Sequence, residues 1–320
     1  MTMKTKICDL LGIDYPILQG GMAWVATAEL AAAVSNAGGL GIIGSGNAPA
    51  NIIKKEIDKI KVLTNKPFGV NVMLLSPFAE EVVDLVYNEK VPVITTGAGN
   101  PSKYIPMLKK QGIKIIPVVP SVALAKKMES IGADAVIAEG TEAGGHVGEL
   151  TTMVLVPQVV DAIKIPVIAA GGIGDGRGLI SALSLGAHGV QLGTIFVCSK
   201  ECIVHENYKN AIIKAGDRGT VVTGRSTGHP VRIIKNKLYR EFVKLEDSGA
   251  SIEEIEKLGI GRLKMACVDG DADMGSIMAG QISGLIKEIK PAKEIIDSLI
   301  EECDIALNDL NKLIRGEILD

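Results

Sequence analysis

Short apolar runs alternate with longer amphipathic stretches throughout residues 1–199 of the chain. Most of the runs are continuous rather than alternating in polarity, which is typical of parallel strands buried on both faces. Their starts lie roughly 20 to 30 residues apart, the length of one strand–helix unit. The pattern predicts eight strands, at Pro16–Gly20, Leu40–Gly44, Phe68–Met73, Val91–Thr96, Lys114–Val119, Ala135–Glu139, Val167–Ala170 and Val190–Leu192.

The stretches between these strands have the periodicity of amphipathic helices. Helices are predicted at Thr27–Ala37, Pro49–Val62, Pro77–Asn88, Ser102–Gln111, Val122–Ile131, Val154–Ile163 and Gly178–Leu185. Several end in glycine, as at Gly112, which suits a left-handed cap. Eight such units favour an α/β fold, the closed (β/α)8 TIM barrel. An open doubly wound sheet is the alternative, because periodicity alone does not show closure.

The strand–helix rhythm stops after the eighth predicted strand. Residues 200–265 are more charged, and Lys237–Asp247 and Ile252–Leu258 have amphipathic helical patterns. We therefore predict that residues 200–265 form a small helical subdomain near the mouth of the barrel. Residues 1–199 and 266–320 would form the barrel itself, with Gly275–Ile289 and Ala292–Ile314 as closing helices.

Composition narrows the possible classes of function. The chain has 320 residues, of which 47% are hydrophobic and 3% aromatic, and its formal net charge is −3. We expect no nucleic acid as a partner, and no apolar run is long enough to suggest a membrane-spanning helix. The five cysteines lack the spacing of a zinc site or a disulfide framework. With no recognisable signal peptide, we expect a cytoplasmic protein with reduced thiols and no metal centre.

Glycines end the seventh and eighth predicted strands, in Ala170-Gly171-Gly172-Ile173 and Gln191-Leu192-Gly193-Thr194. In α/β barrels these two strand ends commonly bind a phosphate. Glycine lets the backbone approach an anion closely, so that its N–H groups can donate hydrogen bonds. Tight turns alone would explain glycine at either place, but two such ends on adjacent strands favour a phosphate site.

A glycine-rich loop with a histidine follows the sixth predicted strand: Glu139-Gly140-Thr141-Glu142-Ala143-Gly144-Gly145-His146. This loop belongs to the same end of the barrel as the phosphate loops, so His146 is a candidate catalytic acid or base. We expect structural roles for His188, in a turn at the opposite end, and for His205. The role of His229 is left open.

Small residues and amides end the first three predicted strands, in Gln19-Gly20-Gly21-Met22-Ala23, Gly44-Ser45-Gly46-Asn47 and Gly69-Val70-Asn71. Amides can donate to and accept from the edge of a heteroaromatic ring, although turn chemistry also explains such residues. Two further motifs carry no function. Gly39–Gly44 matches GxGxxG within a strand, and Asp269–Asp273 lacks the later glycine and glutamate of an EF-hand loop.

Basic residues without an intervening carboxylate occupy Gly224–Arg240: Arg225, Arg232, Lys235, Lys237 and Arg240. A charge run is most often a solvated surface. Against the acidic balance of the whole chain, this local excess could also dock an acidic partner or a nucleotide phosphate.

Together these segments resemble the nitronate monooxygenase / enoyl-acyl-carrier-protein reductase II superfamily. The resemblance rests on Pro16–Ala23, Gly38–Gly41, Glu139–His146, Ala170–Ile173 and Gln191–Thr194, and it continues in order through Met274–Ser276 and Ala279–Gln281. Three further segments look most like the FMN-dependent enoyl reductase branch, the FabK type: Lys66–Asn71, Thr96–Pro101 and Gly228–Pro230.

The resemblance implies an enzyme of fatty-acid elongation that reduces a trans-2-enoyl thioester on acyl carrier protein, using NADH or NADPH through FMN. His146 matches the active-site histidine, which would protonate the α-carbon or hydrogen-bond the thioester oxygen. The basic stretch, including Arg232 and Lys235, would dock the acidic carrier. A homodimer and a monovalent cation are also implied, but the sequence does not identify the ligands of the cation. Cofactor contacts map onto Gly21, Met22, Ala23, Asn47, Asn71, Glu139 and Gln191, and onto Gly171, Gly172, Gly193 and Thr194 for the phosphate end.

Three other functions stay open. In a nitronate monooxygenase, His146 would abstract the proton α to a nitro group, and oxygen would reoxidise the flavin. A non-enzymatic flavin-binding barrel would bind FMN without needing His146. An IMP dehydrogenase-like barrel shares the Gly171–Ile173 loop but requires a nucleophilic cysteine at the active face, which Cys198 and Cys202 match poorly.

Overall fold

The computed structural model describes residues 3–316, which form a barrel with a smaller sheet at one end. All eight predicted strands are confirmed, with ends that differ by no more than two residues. The strands of the described chain are β1 (Ile17–Gln19), β2 (Gly41–Gly44), β3 (Phe68–Met73), β4 (Val93–Gly97), β5 (Lys114–Val119), β6 (Val136–Glu139), β7 (Gly145–His146), β8 (Val167–Ala170), β9 (Gly189–Leu192), β10 (Thr220–Thr223) and β11 (Val231–Ile234).

Helices follow the barrel strands, and all seven that the sequence predicts between strands are present. The α-helices of residues 3–316 are α1 (Lys6–Leu11), α2 (Ala28–Asn36), α3 (Ala50–Leu63), α4 (Ala79–Asn88), α5 (Ile105–Lys110), α6 (Val122–Ser130), α7 (Thr152–Ala162), α8 (Gly176–Ser184), α9 (Thr194–Val197), α10 (Glu206–Ile213), α11 (Lys237–Asp247), α12 (Ile252–Gly259), α13 (Arg262–Lys264) and α14 (Ala292–Ile314).

Eight strands form one parallel sheet in the order β1-β9-β8-β6-β5-β4-β3-β2, and the two end strands then meet. Leu18 and Leu40 form a parallel bridge across this seam. Beside it, the buried Gln19 amide donates to the Ile42 carbonyl (3.1 Å) and accepts from the Ile42 N–H (3.2 Å). The sheet therefore curls into a barrel, which confirms the predicted (β/α)8 fold over the open-sheet alternative.

Aliphatic side chains fill the barrel interior, as expected from the continuous apolar strands. One cluster joins inward residues such as Ile42, Ile137 and Ile168 to Ile7 and Leu11 of α1. Because the residue before α1, Thr5, donates to the carbonyl of His188 just ahead of β9, α1 closes the amino-terminal end of the barrel. The carboxyl ends of the strands are left for the functional loops.

The segment after β9 contains α11 and α12, which match the two predicted helices, together with α10, α13 and a β-hairpin that the sequence analysis did not predict. Strands β10 and β11 pair antiparallel, and β11 also pairs with β7, so that the hairpin joins the loop that carries His146. The exact bounds of the subdomain at 200 and 265 stay a prediction. The hairpin places this subdomain's chain directly beside the active-face loops.

The predicted closing helices differ in outcome. Helix α14 is confirmed with the expected bounds, but the helix over Gly275–Ile289 is wrong: only Gln281–Leu285 is helical there, as a short 3₁₀ helix. Gly275, Gly280 and Gly284 in this stretch disfavour a continuous α-helix. Instead, Ile277 and Met278 run beside β11, where Ile234 N–H donates to the Ile277 carbonyl (2.8 Å).

Over residues 3–316, no helix combines the length and the apolar character needed to cross a lipid bilayer. All five cysteines are buried and unoxidised. Burial raises the pKa of the Cys198 thiol to about 12, as it does for Cys267. These thiols are therefore structural rather than nucleophilic.

Candidate active site

The predicted site residues lie at the carboxyl ends of six barrel strands, and therefore on one face. Most keep part of their surface accessible, although the strands that lead to them are buried. Thr194 is the buried member, and Asn47, His146 and Gly172 are exposed. The structure thus brings the whole predicted set to one end of the barrel, while their contacts with a cofactor stay predictions.

Four glycines at this face form what we call the glycine cradle: Gly140, Gly171, Gly172 and Gly193. Gly171 and Gly172 have φ values of +90° and +75°, a left-handed conformation that side chains disfavour. A Cβ on Gly171 would lie 2.7 Å from the Gly140 carbonyl oxygen, and one on Gly140 would overlap the Thr152 hydroxyl. The backbone after β6 and β8 is therefore packed to a closeness that only glycine permits at Gly140 and Gly171.

The loop after β1 joins the cradle to the opposite side of the barrel. Gly21 packs against Asn71, since a Cβ there would overlap the asparagine side chain. Asn71 in turn donates from Nδ2 to the Thr95 hydroxyl (2.9 Å), which fixes its amide at the end of β3. Met22 extends towards the eighth barrel strand, with its Sδ 3.4 Å from the position of a Cβ on Gly193.

Glu142 anchors the loop between β6 and α7 to the start of that helix. Its carboxylate accepts from the Thr152 backbone N–H (2.9 and 3.1 Å) and lies 3.0 Å from the Thr152 hydroxyl. The hydroxyl is also 2.9 Å from the Gly171 carbonyl. A carboxylate at a helix amino terminus is favourable because it meets unpaired N–H groups and the positive end of the helix dipole.

The position of Arg232 contradicts its predicted role in docking an acidic partner. It was expected to be part of a surface that docks an acidic partner, but only 6% of it is exposed. Its guanidinium donates to the Thr141 carbonyl from Nε (3.1 Å) and Nη2 (3.0 Å). Because β11 inserts this side chain beneath the loop, Arg232 holds the loop that carries Glu142 and His146 and is not available to a partner.

Glu139 ends β6 as an unpaired carboxyl group. Within residues 3–316 no hydrogen-bonding or charged neighbour influences its side chain, although part of the residue remains accessible. Removal from bulk water disfavours the ionised form and raises the pKa of this carboxyl to about 7. Near neutral pH it can therefore act both as a hydrogen-bond donor and as an acceptor.

His146 lies in the short strand β7, where it faces Val231 of the hairpin. Its ring is accessible to solvent, but surrounding protein atoms replace part of its hydration. This desolvation, followed by the positive charge of His229, lowers the pKa of His146 below its ordinary value. His229 is itself 4.0 Å from the Glu256 carboxylate. At neutral pH the His146 imidazole is therefore uncharged, with one N–H donor and one free nitrogen.

The remaining histidines act structurally, as the sequence predicts. His188 accepts from the Val167 N–H (3.4 Å) at the amino-terminal end of the barrel. His205 caps α10 by accepting from the Asn207 N–H (3.1 Å).

Glu142, Thr152, Arg232 and Gly280 support the site without having been predicted to do so. Gly280 donates its N–H to the Thr194 hydroxyl (2.8 Å), which ties the segment after the hairpin to the last barrel strand. Thr152 had a usable signal, because a threonine beside a helix start often makes capping contacts. The contacts of Arg232 and Gly280 join residues 91 and 86 positions apart and leave no local pattern.

Comparisons with known proteins agree with this geometry. The family model for nitronate monooxygenase matches residues 4–82 and 78–302. A structure of FabK from Thermotoga maritima superposes with a TM-score of 0.95 at 51% identity, covering 98% of this chain and 100% of that one. A probable nitronate monooxygenase of Staphylococcus saprophyticus is 36% identical, in an alignment that covers 96% of this chain and 100% of the relative.

A third relative is named for a different activity. A (3aS,4S,5R,7aS)-5-hydroxy-7a-methyl-1-oxo-octahydro-1H-indene-4-carboxyl-CoA dehydrogenase of Mycobacterium tuberculosis is 34% identical over 98% of this chain and its own full length. The match to the family model covers most of the chain, and these relatives extend along its whole length. The chain therefore belongs to the nitronate monooxygenase family of oxidoreductases.

Proposed function

We propose that this protein reduces the trans-2 double bond of enoyl thioesters on acyl carrier protein, with NADH or NADPH as the electron source and FMN as the cofactor. The observation that carries the proposal is the placement of His146, the Glu139 carboxyl and the glycine cradle on one barrel face. The likeness to FabK at 51% identity supports the reductase reaction. The carboxyl-CoA dehydrogenase among the relatives supports a thioester substrate.

The residues at this face fit FMN, and the family consists of flavin enzymes. The glycine cradle offers backbone N–H groups at the ends of β8 and β9, and a Cβ on Gly171 at the end of β8 would clash with backbone, which suits a close approach to the phosphate. Glu139, unpaired and with a pKa of about 7, suits the polar edge of the ring. FMN, when bound, supplies the hydride chemistry that the side chains of this chain cannot provide.

His146 would act on the thioester. An uncharged imidazole can donate its N–H to the thioester oxygen, where negative charge develops as a hydride reaches the β-carbon. The same group, or water beside it, can deliver the proton that the α-carbon must receive. Because the ring is accessible to solvent, it can recover that proton from water. The hairpin pairing of β7 with β11 keeps the imidazole in place.

The partner under this proposal is an acyl carrier protein, and the protein would act as a cytoplasmic homodimer. The burial of all five thiols is compatible with a reducing compartment. A monovalent cation remains part of the proposal without assigned ligands.

Nitronate oxidation is the second candidate, because the matching family model and the staphylococcal relative are both named nitronate monooxygenase. An uncharged His146 could accept the proton α to a nitro group, since its lowered pKa leaves the base form dominant at neutral pH. This reaction needs molecular oxygen and no nicotinamide.

Anaerobic kinetics separate the two candidates. The FMN-loaded protein would be mixed with NADH, with and without crotonyl thioester, and NADH absorbance followed. The reductase proposal predicts NADH consumption that depends on the thioester. Turnover of alkyl nitronates with oxygen, together with indifference to the thioester, would overturn it in favour of nitronate oxidation. Protein that cannot be loaded with FMN would contradict both.

A further inference from the structure

A concave, positively charged surface lies beside the hairpin, away from the glycine cradle. We call it the basic cleft. It has a volume of about 710 Å³, and five basic and two acidic side chains line it: Lys214, Lys235, Lys237, Arg240 and Lys244, with Glu241 and Asp273. The whole chain has a net charge of −3, so this local excess runs against the overall balance.

Most of these cations lack an anionic partner. Lys244 pairs with Glu241 at 2.8 Å. Within residues 3–316, Lys214, Lys235, Lys237 and Arg240 have no carboxylate within the 4.0 Å of an ion pair. Grouped like charges repel one another, and a cleft that collects them concentrates a positive field that attracts anions. Their arrangement is therefore suited to an external anionic group.

The backbone that carries the cleft lysines is fixed by hydrogen bonds. Asn236, between Lys235 and Lys237, donates from its side-chain amide to the carbonyls of Ala272 (2.9 Å) and Gly275 (2.8 Å). On one side of it, the Lys235 N–H donates to the Gly219 carbonyl (2.9 Å). The two lysines therefore extend from an anchored backbone rather than from a loose loop.

The basic cleft and His146 belong to the same small sheet. Val231 of β11 faces His146, and Lys235 follows the other end of that strand. Four residues of extended strand separate them, about 13 Å. A phosphopantetheine arm has about as many chain atoms as five extended residues, roughly 16 Å. A carrier docked at the cleft would therefore lie within an arm's reach of the His146 loop.

We propose that the basic cleft docks the acidic face of the acyl carrier protein, through Lys214, Lys235, Lys237 and Arg240. This rests on the proposed reductase function and adds the surface by which the substrate is presented. It also revises the docking surface expected from the sequence. Arg232 is excluded because it is buried beneath the loop, and Lys214, at the end of α10 and outside the basic stretch of the sequence, is added.

The test compares one acyl group on three carriers. Crotonyl thioesters of acyl carrier protein, coenzyme A and N-acetylcysteamine are reduced by the FMN-loaded wild type and by a Lys235→Glu/Lys237→Glu variant. The control is Lys110→Glu/Lys126→Glu, which makes the same charge change at exposed lysines on α5 and α6. Thermal unfolding of each variant checks that it is folded.

We expect the cleft variant to raise KM for the carrier-linked substrate about tenfold or more, with kcat nearly unchanged. KM for the two small thioesters should stay within about twofold of wild type, as should all three values in the control. Added salt should narrow the gap between wild type and variant.

Each other outcome counts against the inference. An unchanged KM for the carrier-linked substrate would mean that the carrier docks elsewhere. An equal rise for the coenzyme A thioester would mean that the cleft binds a phosphate common to both substrates. If the wild type reduces none of the three thioesters, the proposed function itself fails, and the carrier docking fails with it.

Discussion

The side chain of Gln19 pairs with both backbone groups of Ile42, across the seam where the first barrel strand meets the second. Gln19 is fully buried, so neither strand can replace these bonds with water. The backbone pairing between these two strands consists of a single bridge, Leu18 to Leu40. The Gln19 side chain adds two hydrogen bonds that help to hold the strands together.

Replacing Gln19 with Leu should therefore destabilise the barrel by about 2–4 kcal/mol, since two buried backbone groups of Ile42 lose their partners. Denaturant unfolding measures the change. The control is Gln158→Leu, an exposed glutamine on α7 whose amide bonds only the Val154 carbonyl of its own helix. That variant should stay within about 0.5 kcal/mol of wild type. Equal effects in the two variants would show that the seam does not depend on Gln19.

The glycine cradle predicts a graded response to added methyl groups. Gly171→Ala imposes a left-handed conformation and also a clash with the Gly140 carbonyl, so FMN affinity should fall by more than about tenfold. Gly112→Ala has a φ of +72° with nothing within 4 Å, so it carries the strain without the clash. It should cost about 1 kcal/mol of stability and leave FMN affinity unchanged. Flavin fluorescence titration measures the affinity, and equal affinities in both variants would contradict the phosphate assignment.

Glu139 should make stability depend on pH. The pKa of its carboxyl is about 7 in the folded protein against an ordinary value of 4.5, so the folded state holds this proton more tightly. Its stabilising contribution is complete below about pH 4.5 and is lost as pH rises through 7. Glu139→Gln should therefore be more stable than wild type at about pH 8.5, by roughly 2–3 kcal/mol, and gain little at low pH.

Unfolding of flavin-free protein at several pH values tests this prediction. Glu149→Gln, an exposed change in the same loop, should keep the wild-type pH profile. A pH profile of Glu139→Gln that parallels wild type would mean that the carboxyl finds a partner or water in solution.

Removing the His146 imidazole should separate cofactor binding from turnover. In His146→Ala, the flavin spectrum and its reduction by NADH should be retained, while enoyl reduction falls by about 10²–10⁴-fold. Stopped-flow absorbance of the flavin and steady-state NADH consumption measure the two steps. The matched control is His205→Asn, which keeps a capping side chain on α10 and should turn over normally. Loss of flavin binding in His146→Ala would show a structural role instead.

His229 should set the pH at which His146 becomes charged. After desolvation, the positive charge of His229 lowers the pKa of His146, so His229→Gln should raise that pKa and move the acidic limb of kcat/KM to higher pH. Ser226→Ala, an exposed change in the same turn, should leave the limb in place. An acidic limb at the same pH in His229→Gln as in wild type would show that the protonation of His146 does not limit the activity.

The barrel was predictable because each strand carries its own signal. Runs such as Lys114–Val119 are continuous and apolar, and glycines close the helices between them, so local residues decide both ends. The glycine pair after β8 and the single Gly193 after β9 were recognisable for the same reason. Placement of His146 on that face followed from its position directly after β6.

The hairpin and its contacts were not predictable in this way. Thr220–Thr223 and Val231–Ile234 are runs of four residues, all β-branched except Arg232, on either side of a glycine-containing turn. This is a hairpin signal that Arg232 and the surrounding basic residues obscured. The burial of Arg232 depends on β11 meeting β7, and no local pattern encodes a pairing between strands so far apart in sequence. Arg232, which the sequence suggested lies on the surface, is instead buried and holds the loop above it.

The pairing of β7 with β11 also fixes an order of events during synthesis. The strands from β1 to β9 leave the ribosome first, and each can pair with a neighbour that is close in sequence, so the barrel can assemble early. The loop with His146 emerges in the middle of this stretch but finds its partner only when Val231 arrives, and Met278 joins beside β11 later still. A nascent chain halted before the hairpin would thus contain all eight barrel strands, but its His146 would lack the strand partner that positions it. The final third of the polypeptide therefore fixes the position of His146 last.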